Sequence, residues 1–154
     1  MGYSTGRTHM SRSFIIATSA ILCVAAAPPA SAGDPRGNWM TESGKAKVAI
    51  VNCGGALCGN IVALTEPNDP ATGKPKTDSN NPDAAKRTRP MLGVQIVIDM
   101  KPDSADKWKG QVYNAEDGKT YSGSITLVNA STLTLQGCAL GGLICKNQTW
   151  TRSN

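Results

Sequence analysis

The sequence predicts an all-β domain: a single small antiparallel up-and-down barrel of about eight short strands. Three observations lead there. Apolar and polar residues alternate over short runs, as at Val94, Ile96, Ile98 and Met100 and again at Tyr121, Gly123, Ile125 and Leu127. Clusters of Gly, Pro, Asn and Asp separate most of these runs at close spacing. No stretch holds an amphipathic helix of useful length. A meander with one buried face closes most readily into a barrel, which removes its free edges.

Taken in order, Gly37-Asn38-Trp39-Met40-Thr41 opens the first strand and Ser43-Gly44 turns the chain. Residues 45–52 alternate, with Val48 and Ile50 on one face, and 57–64 follow with Gly59, Ile61 and Ala63 on one face. Residues 67–82 are polar and rich in Pro, Asp, Asn and Lys, so they read as loop. Residues 81–86 can hold one short helical turn, with Asn81 as cap and Pro82 at the first position. After Pro90 the strands resume at 94–100. Trp108, Gly110 and Val112 share a face of the next one, and Asp117-Gly118 marks a hairpin turn. Tyr121 to Leu127 alternate, Asn129-Ala130 turns, Leu133 and Leu135 follow, and the last strand runs over about 146–152.

The first part of the 154-residue chain does not belong to this fold. Arg7 and Arg12 make residues 1–12 basic, and 13–27 form an apolar run of secretory-signal length. Ala30-Ser31-Ala32 fits the small-residue cleavage rule. The expected division is therefore a cleaved signal over 1–32 and a barrel domain over 33–154. Met10 is an alternative start, because Met10-Ser11-Arg12 alone supplies a basic leader. An uncleaved anchor fits less well, since the run is short and ends at Pro28-Pro29. Leu22 before Cys23 is too large for a lipobox. No later apolar run is long enough to cross a membrane as a helix.

Composition excludes several functions. Without Arg7 and Arg12 the chain keeps 14 Lys and Arg against 11 Asp and Glu, scattered and mixed in sign. Only Lys86-Arg87-Thr88-Arg89 is locally basic, so nucleic acid is not an expected partner. The single His is His9, in the leader, which leaves the mature chain without an imidazole for a triad or a metal site. No cofactor and no metal is expected.

Four cysteines remain in an exported domain, which implies disulfides. A turn at Gly55-Ala56 would set Cys53 opposite Cys58, and a Gly141-Gly142 turn would set Cys138 opposite Cys145. Directly opposed residues of an antiparallel pair lie about 4.5–5.5 Å apart, within disulfide reach. Each bond would lock a hairpin rather than tie distant parts together.

Gly37-Asn38-Trp39 near the start and Trp150-Thr151-Arg152 near the end resemble the closure of lipocalin-type barrels. The resemblance implies that Arg152 covers Trp39 by cation–π stacking. Further elements are Cys53-Gly54-x-x-Leu57-Cys58-Gly59, Asp78-x-x-Asn81-Pro82-Asp83, Arg87-x-Arg89-Pro90-x-x-Gly93 and 113–121 with Tyr113, Asp117-Gly118-Lys119 and Tyr121. Together they resemble the bacterial domain of unknown function 2147 family over nearly all of the mature chain. That resemblance implies an exported, lipocalin-like barrel with small hydrophobic ligands, in the periplasm or secreted, and brings no catalytic residues. The second cysteine pair is less constant in that family, so Cys138 and Cys145 read as a local addition.

The sharpest binding candidates are Arg87 and Arg89, which share a face if that segment is extended and could hold a carboxylate such as a fatty acid's head group. The competing reading pairs them with Asp78, Asp83 or Asp99 and pins the loop. Tyr113 and Tyr121 either line a cavity or pack the barrel with one hydroxyl partner each. Asp78 and Asp83 could be read as paired carboxylates for hydrolysis, and in such a loop they more often cap turns. The expected function is a non-enzymatic carrier of a small, partly hydrophobic or amphipathic ligand. The alternative is a disulfide-stabilised envelope protein with a filled barrel, acting on a protein partner that the sequence does not name.

Overall fold

The computed structural model describes residues 1–3 and 33–154. The expected leader, with Met10, Cys23 and the cleavage site at Ala32, lies outside the described residues. Strands β1 (Gly37–Met40), β2 (Ala46–Cys53), β3 (Ala56–Leu64), β4 (Gln95–Ser104), β5 (Lys107–Asn114), β6 (Lys119–Asn129), β7 (Thr132–Ala139) and β8 (Ile144–Arg152) follow one another round a closed barrel. Every neighbouring pair is antiparallel. Two short 3₁₀ turns complete it, Ala84–Lys86 in the long loop and Leu140–Gly142 between β7 and β8. No described helix is long and apolar enough to cross a membrane.

Successive connections of an up-and-down barrel alternate ends. One end therefore carries the chain termini and the β2–β3, β4–β5 and β6–β7 turns. The other carries the β1–β2, β5–β6 and β7–β8 turns and the long loop over 65–94.

The terminal end is closed. Trp39 and Trp150 are 0% and 1% exposed there. Trp39 pairs with Arg152 across β1 and β8, and the guanidinium carbon lies 4.3 Å from the indole ring centre. The same guanidinium donates to the carbonyls of Asp34, Arg36 and Ala130, joining the N-terminal segment to the β6–β7 turn. Gly37 is required by this packing. A Cβ there would lie 2.6 Å from Arg152 Nη1, and its φ of +127° suits glycine alone.

The lower interior is solid. Val48, Val97, Met100, Ile125 and Leu133 are each fully buried. Gly123 makes room for this filling: a Cβ would meet the Val112 side chain, the Gln136 carbonyl at 3.0 Å and the Met100 methyl at 3.1 Å. Gly123→Ala is expected to cost about 1–3 kcal/mol through overpacking, measured by urea unfolding.

Three expectations need correction. Val94, Ile96, Ile98 and Met100 do not share a face. The ladder shifts between Ile98 and Lys101, where Asp99 takes a positive φ of 46°. This bulge changes the phase, so Val97 and Met100 enter the core while Ile96 and Ile98 are half-buried. The β2–β3 turn sits at Gly54-Gly55, not Gly55-Ala56. Both glycines have positive φ, as a two-residue type I′ turn requires. Cys53 therefore faces Ala56 and Cys58 faces Val51, and the disulfide crosses diagonally with its Cα atoms 5.9 Å apart. Finally, the helical turn in the long loop is capped by Asp83, whose carboxylate accepts from Ala85 N–H, and not by Asn81. The Asn81 side chain is engaged elsewhere.

Candidate functional site

A cavity of about 240 Å³ opens at the end away from Trp39. Strand register places it inside the barrel. Leu133 faces Trp150 across β7 and β8 in the core, so the pairs two and four residues further on, Leu135 with Gln148 and Gly137 with Lys146, share the inner face. Val112 and Tyr121, paired across β5 and β6, supply the opposite wall. Val112 and Leu135 form the floor, above the Met100 and Ile125 filling.

Strand β8 gives the cavity its character. From Ile144 to Thr149 every residue is exposed, those facing inward included, and burial begins only at Trp150. The reason is the shortness of β1. It pairs with β8 only at Trp39–Arg152 and Met40–Thr151. Beyond that point the edge of β8 has no neighbouring strand among the described residues, and the Glu42 carboxylate caps the Thr149 N–H. The cavity thus opens upward, beside a strand that lacks a paired neighbour on its other side. The Cys138–Cys145 disulfide joins directly opposed residues, with Cα atoms 4.1 Å apart, and ties this half-free strand to β7. Replacing both cysteines by serine is expected to cost about 2–3 kcal/mol. Amide exchange on β8 should rise over 144–148 more than over 150–152.

The mouth is rimmed by polar groups. Tyr121 donates its hydroxyl to Asp117, which also accepts from the Lys119 backbone N–H. Burial alone would raise the Asp117 pKa, but these bonds outweigh it and hold the carboxyl below its usual value. The accepting carboxylate in turn pushes the Tyr121 hydroxyl up.

The long loop contains a second, unrelated constellation. Asp78 is fully buried. Its carboxylate accepts from Tyr113 Oη at 2.6 Å, Asn81 Nδ2 at 2.7 Å and the Arg89 guanidinium at 2.7 and 3.0 Å. Arg87 donates to the Asn81 carbonyl at 2.8 Å, and Asn80 donates to the Glu116 carbonyl at 2.9 Å. The loop is thereby fastened to the outer wall at Tyr113 and to the β5–β6 turn. A shallow groove of about 290 Å³ runs beside it, lined by Asp83, Lys86 and Arg89 among others. Its charges are already answered: Lys86 pairs with Asp83 at 3.3 Å and Arg89 with Asp78.

Of the sequence candidates, Asp78, Asn81, Arg87, Arg89 and Tyr113 come together in the loop, with Pro90 bridged to Thr77 beside them. Tyr121 stands apart, in the cavity. Neither arginine lines the cavity, because each is committed within the loop. The cavity's own polar groups on β8, Lys146 and Gln148, went unnoticed. Their signal was present in the last strand: with Trp150 inward, alternation turns 148, 146 and 144 inward as well.

A solved structure described as protein HP1028 from the human pathogen Helicobacter pylori, belonging to the lipocalin family, superposes with a TM-score of 0.66. The two chains are 24% identical, and the alignment covers 79% of this chain and 84% of that one. At that identity the likeness concerns the fold. No curated protein matches the chain. Residues 37–152 match the family model DUF2147, described as an uncharacterized protein conserved in bacteria. The matched span runs from the glycine beneath Arg152 to Arg152 itself, the whole closed barrel, and on that ground the chain belongs to the DUF2147 family.

Proposed function

We propose that the protein is an exported, non-enzymatic carrier that holds a small, partly apolar ligand in the upper half of its barrel. The observation that carries the reading is the cavity itself: inward-facing side chains of β8 remain exposed because the barrel is unfilled there. At about 240 Å³ it is smaller than typical drug-sized sites of ~300–1,000 Å³. It seats a ligand body equal to roughly eight waters in volume. Export is supported by two disulfides, which persist in oxidising compartments. The absence of a catalytic role is supported by Asp78, whose carboxylate is enclosed and bound on all sides.

Native mass spectrometry of the oxidised protein, together with titration by six- to ten-carbon acids and alcohols, tests this. Retained or bound small molecules are expected. A protein that arrives empty and binds none of the panel would end the carrier reading. The competing reading, an envelope interaction protein, draws support from the solid lower interior and the exposed Leu140, Leu143 and Ile144 at the β7–β8 turn. It predicts instead a protein partner retained from envelope extracts and lost in a Leu143→Ser variant.

A further inference from the structure

The hydrogen-bond inventory of the cavity is lopsided. Its carboxylate and amide oxygens each already hold a protein donor. Asp117 takes the Tyr121 hydroxyl and the Lys119 N–H. Asn114 Oδ1 takes the Glu116 N–H at 3.1 Å. Gln148 Oε1 takes the Trp150 indole N–H at 2.9 Å. This last bond also orients the Gln148 amide, turning its NH₂ group away from the indole. What remains are donors: that NH₂ group and the Lys146 ammonium, two residues apart on the inner face of β8 and without a protein acceptor among the described residues. Directly across from Lys146 on β7 is Gly137. A Cβ there would touch nothing nearer than Tyr121 Cβ at 3.8 Å, so the inner face beside Lys146 is open over Gly137. Below it the walls are apolar, at Val112 and Leu135, and Ala139 lies nearer the mouth, paired with Ile144.

We propose that Lys146 and Gln148 form an anion receptor, and that the ligand is a short amphipathic acid. Its head group lies against these two donors and its apolar body rests on Val112 and Leu135. This rests on the carrier reading and deepens it by naming the ligand class. Charge-assisted hydrogen bonds are stronger than neutral ones, and apolar walls lower the local dielectric that would weaken them. The Asp117 carboxylate lines the same cavity and is held ionised by the Tyr121 hydroxyl and the Lys119 backbone N–H, so the receptor works against one negative charge at the mouth. The cavity seats on the order of ten non-hydrogen atoms of the body within the barrel.

The test compares octanoate with 1-octanol, equal in chain length and different in charge, by isothermal titration of the full oxidised protein. Wild type is expected to bind octanoate at least about tenfold more tightly than octanol. Lys146→Met should erase that advantage while octanol binding is kept, and added salt should shrink it in wild type. Gly137→Val, which fills the open inner face beside Lys146, should weaken both probes. Equal binding of the two probes by wild type overturns the receptor and leaves the carrier standing, with Lys146 merely solvated at the mouth. An advantage that survives in Lys146→Met also overturns it. If neither probe binds, the receptor is overturned, and the carrier reading is decided by native mass spectrometry and the wider panel. If Gly137→Val leaves both affinities unchanged, the probes bind elsewhere and the receptor is again overturned.

Discussion

Asp78→Ala is expected to lower the unfolding free energy by about 3 kcal/mol at neutral pH, with urea unfolding followed by tryptophan fluorescence as the measure. The substitution leaves the Tyr113 hydroxyl, the Asn81 amide and the Arg89 guanidinium without their common acceptor. Losing one partner of a buried ion pair costs about 3–5 kcal/mol in general. The lower value applies because the Arg89 side chain is 38% exposed and can be resolvated. Asp78→Asn keeps the volume and loses the charge, so it should cost less.

The effect is pH-dependent, and its sign is determined. Burial alone would raise the Asp78 pKa, but the bonds from Tyr113, Asn81 and Arg89 outweigh it, and the carboxyl is held below its ordinary value. A depressed folded pKa contributes stability that is present above the unfolded value of about 3.9 and lost as pH falls through the folded one. The gap between wild type and Asp78→Asn should therefore be constant from about pH 5 upward through neutrality and should shrink on acidification below about pH 4. Tyr113 acts at the other extreme. Burial and the Asp78 carboxylate raise its pKa, so its contribution is present below about pH 10 and is lost above it. A gap that does not change between pH 6 and pH 3 would remove Asp78 from its assigned place at the centre of the loop.

Trp39→Ala is expected to cost about 3–5 kcal/mol and to lower the melting temperature by on the order of 10–20 °C. The indole is fully buried and donates to the Pro35 carbonyl at 2.8 Å. It is also the platform for Arg152, which links three separate carbonyls, and β1 pairs with β8 through only two residues. Removing the ring therefore opens a cavity and weakens the seam at once. Trp39→Phe keeps much of the packing and should lose roughly 1 kcal/mol for the missing hydrogen bond beyond its packing change. Thermal unfolding monitored by near-ultraviolet circular dichroism distinguishes the two. A Trp39→Ala protein that melts within a few degrees of wild type would show that the seam is held by something other than this contact.

The loop over 65–94 shows how far residue types alone could be read. Its Asp, Asn and Arg residues stood out in the sequence as chemically loaded, and the structure gathers most of them round one carboxylate. What could not be read was which of two chemically equal uses the arginines had. A guanidinium holds a ligand's carboxylate and a loop's carboxylate with the same geometry. Only the arrival of Asp78 within 2.7 Å of Arg89 decides between them. The β4 bulge was hidden for a related reason. Asp99 gives no residue-type signal for an extra position, and the phase shift that brings Val97 inward follows from pairing with β5.

The sequence by itself determined the strand count and the pairing of the hairpin cysteines, while the meeting of Trp39 with Arg152 was implied only by the resemblance of the two chain ends to a known barrel closure. Alternation, turn chemistry and short-range cysteine spacing all act within a few residues of chain, so they leave marks that a linear reading recovers. The tertiary structure alone decided where the barrel is filled and where it is open. That depends on how many residues β1 lends to the edge of β8, and on whether Met100 or solvent occupies a given level of the interior. Such outcomes are set by register and volume summed over strands far apart in the chain, and no local pattern carries that sum.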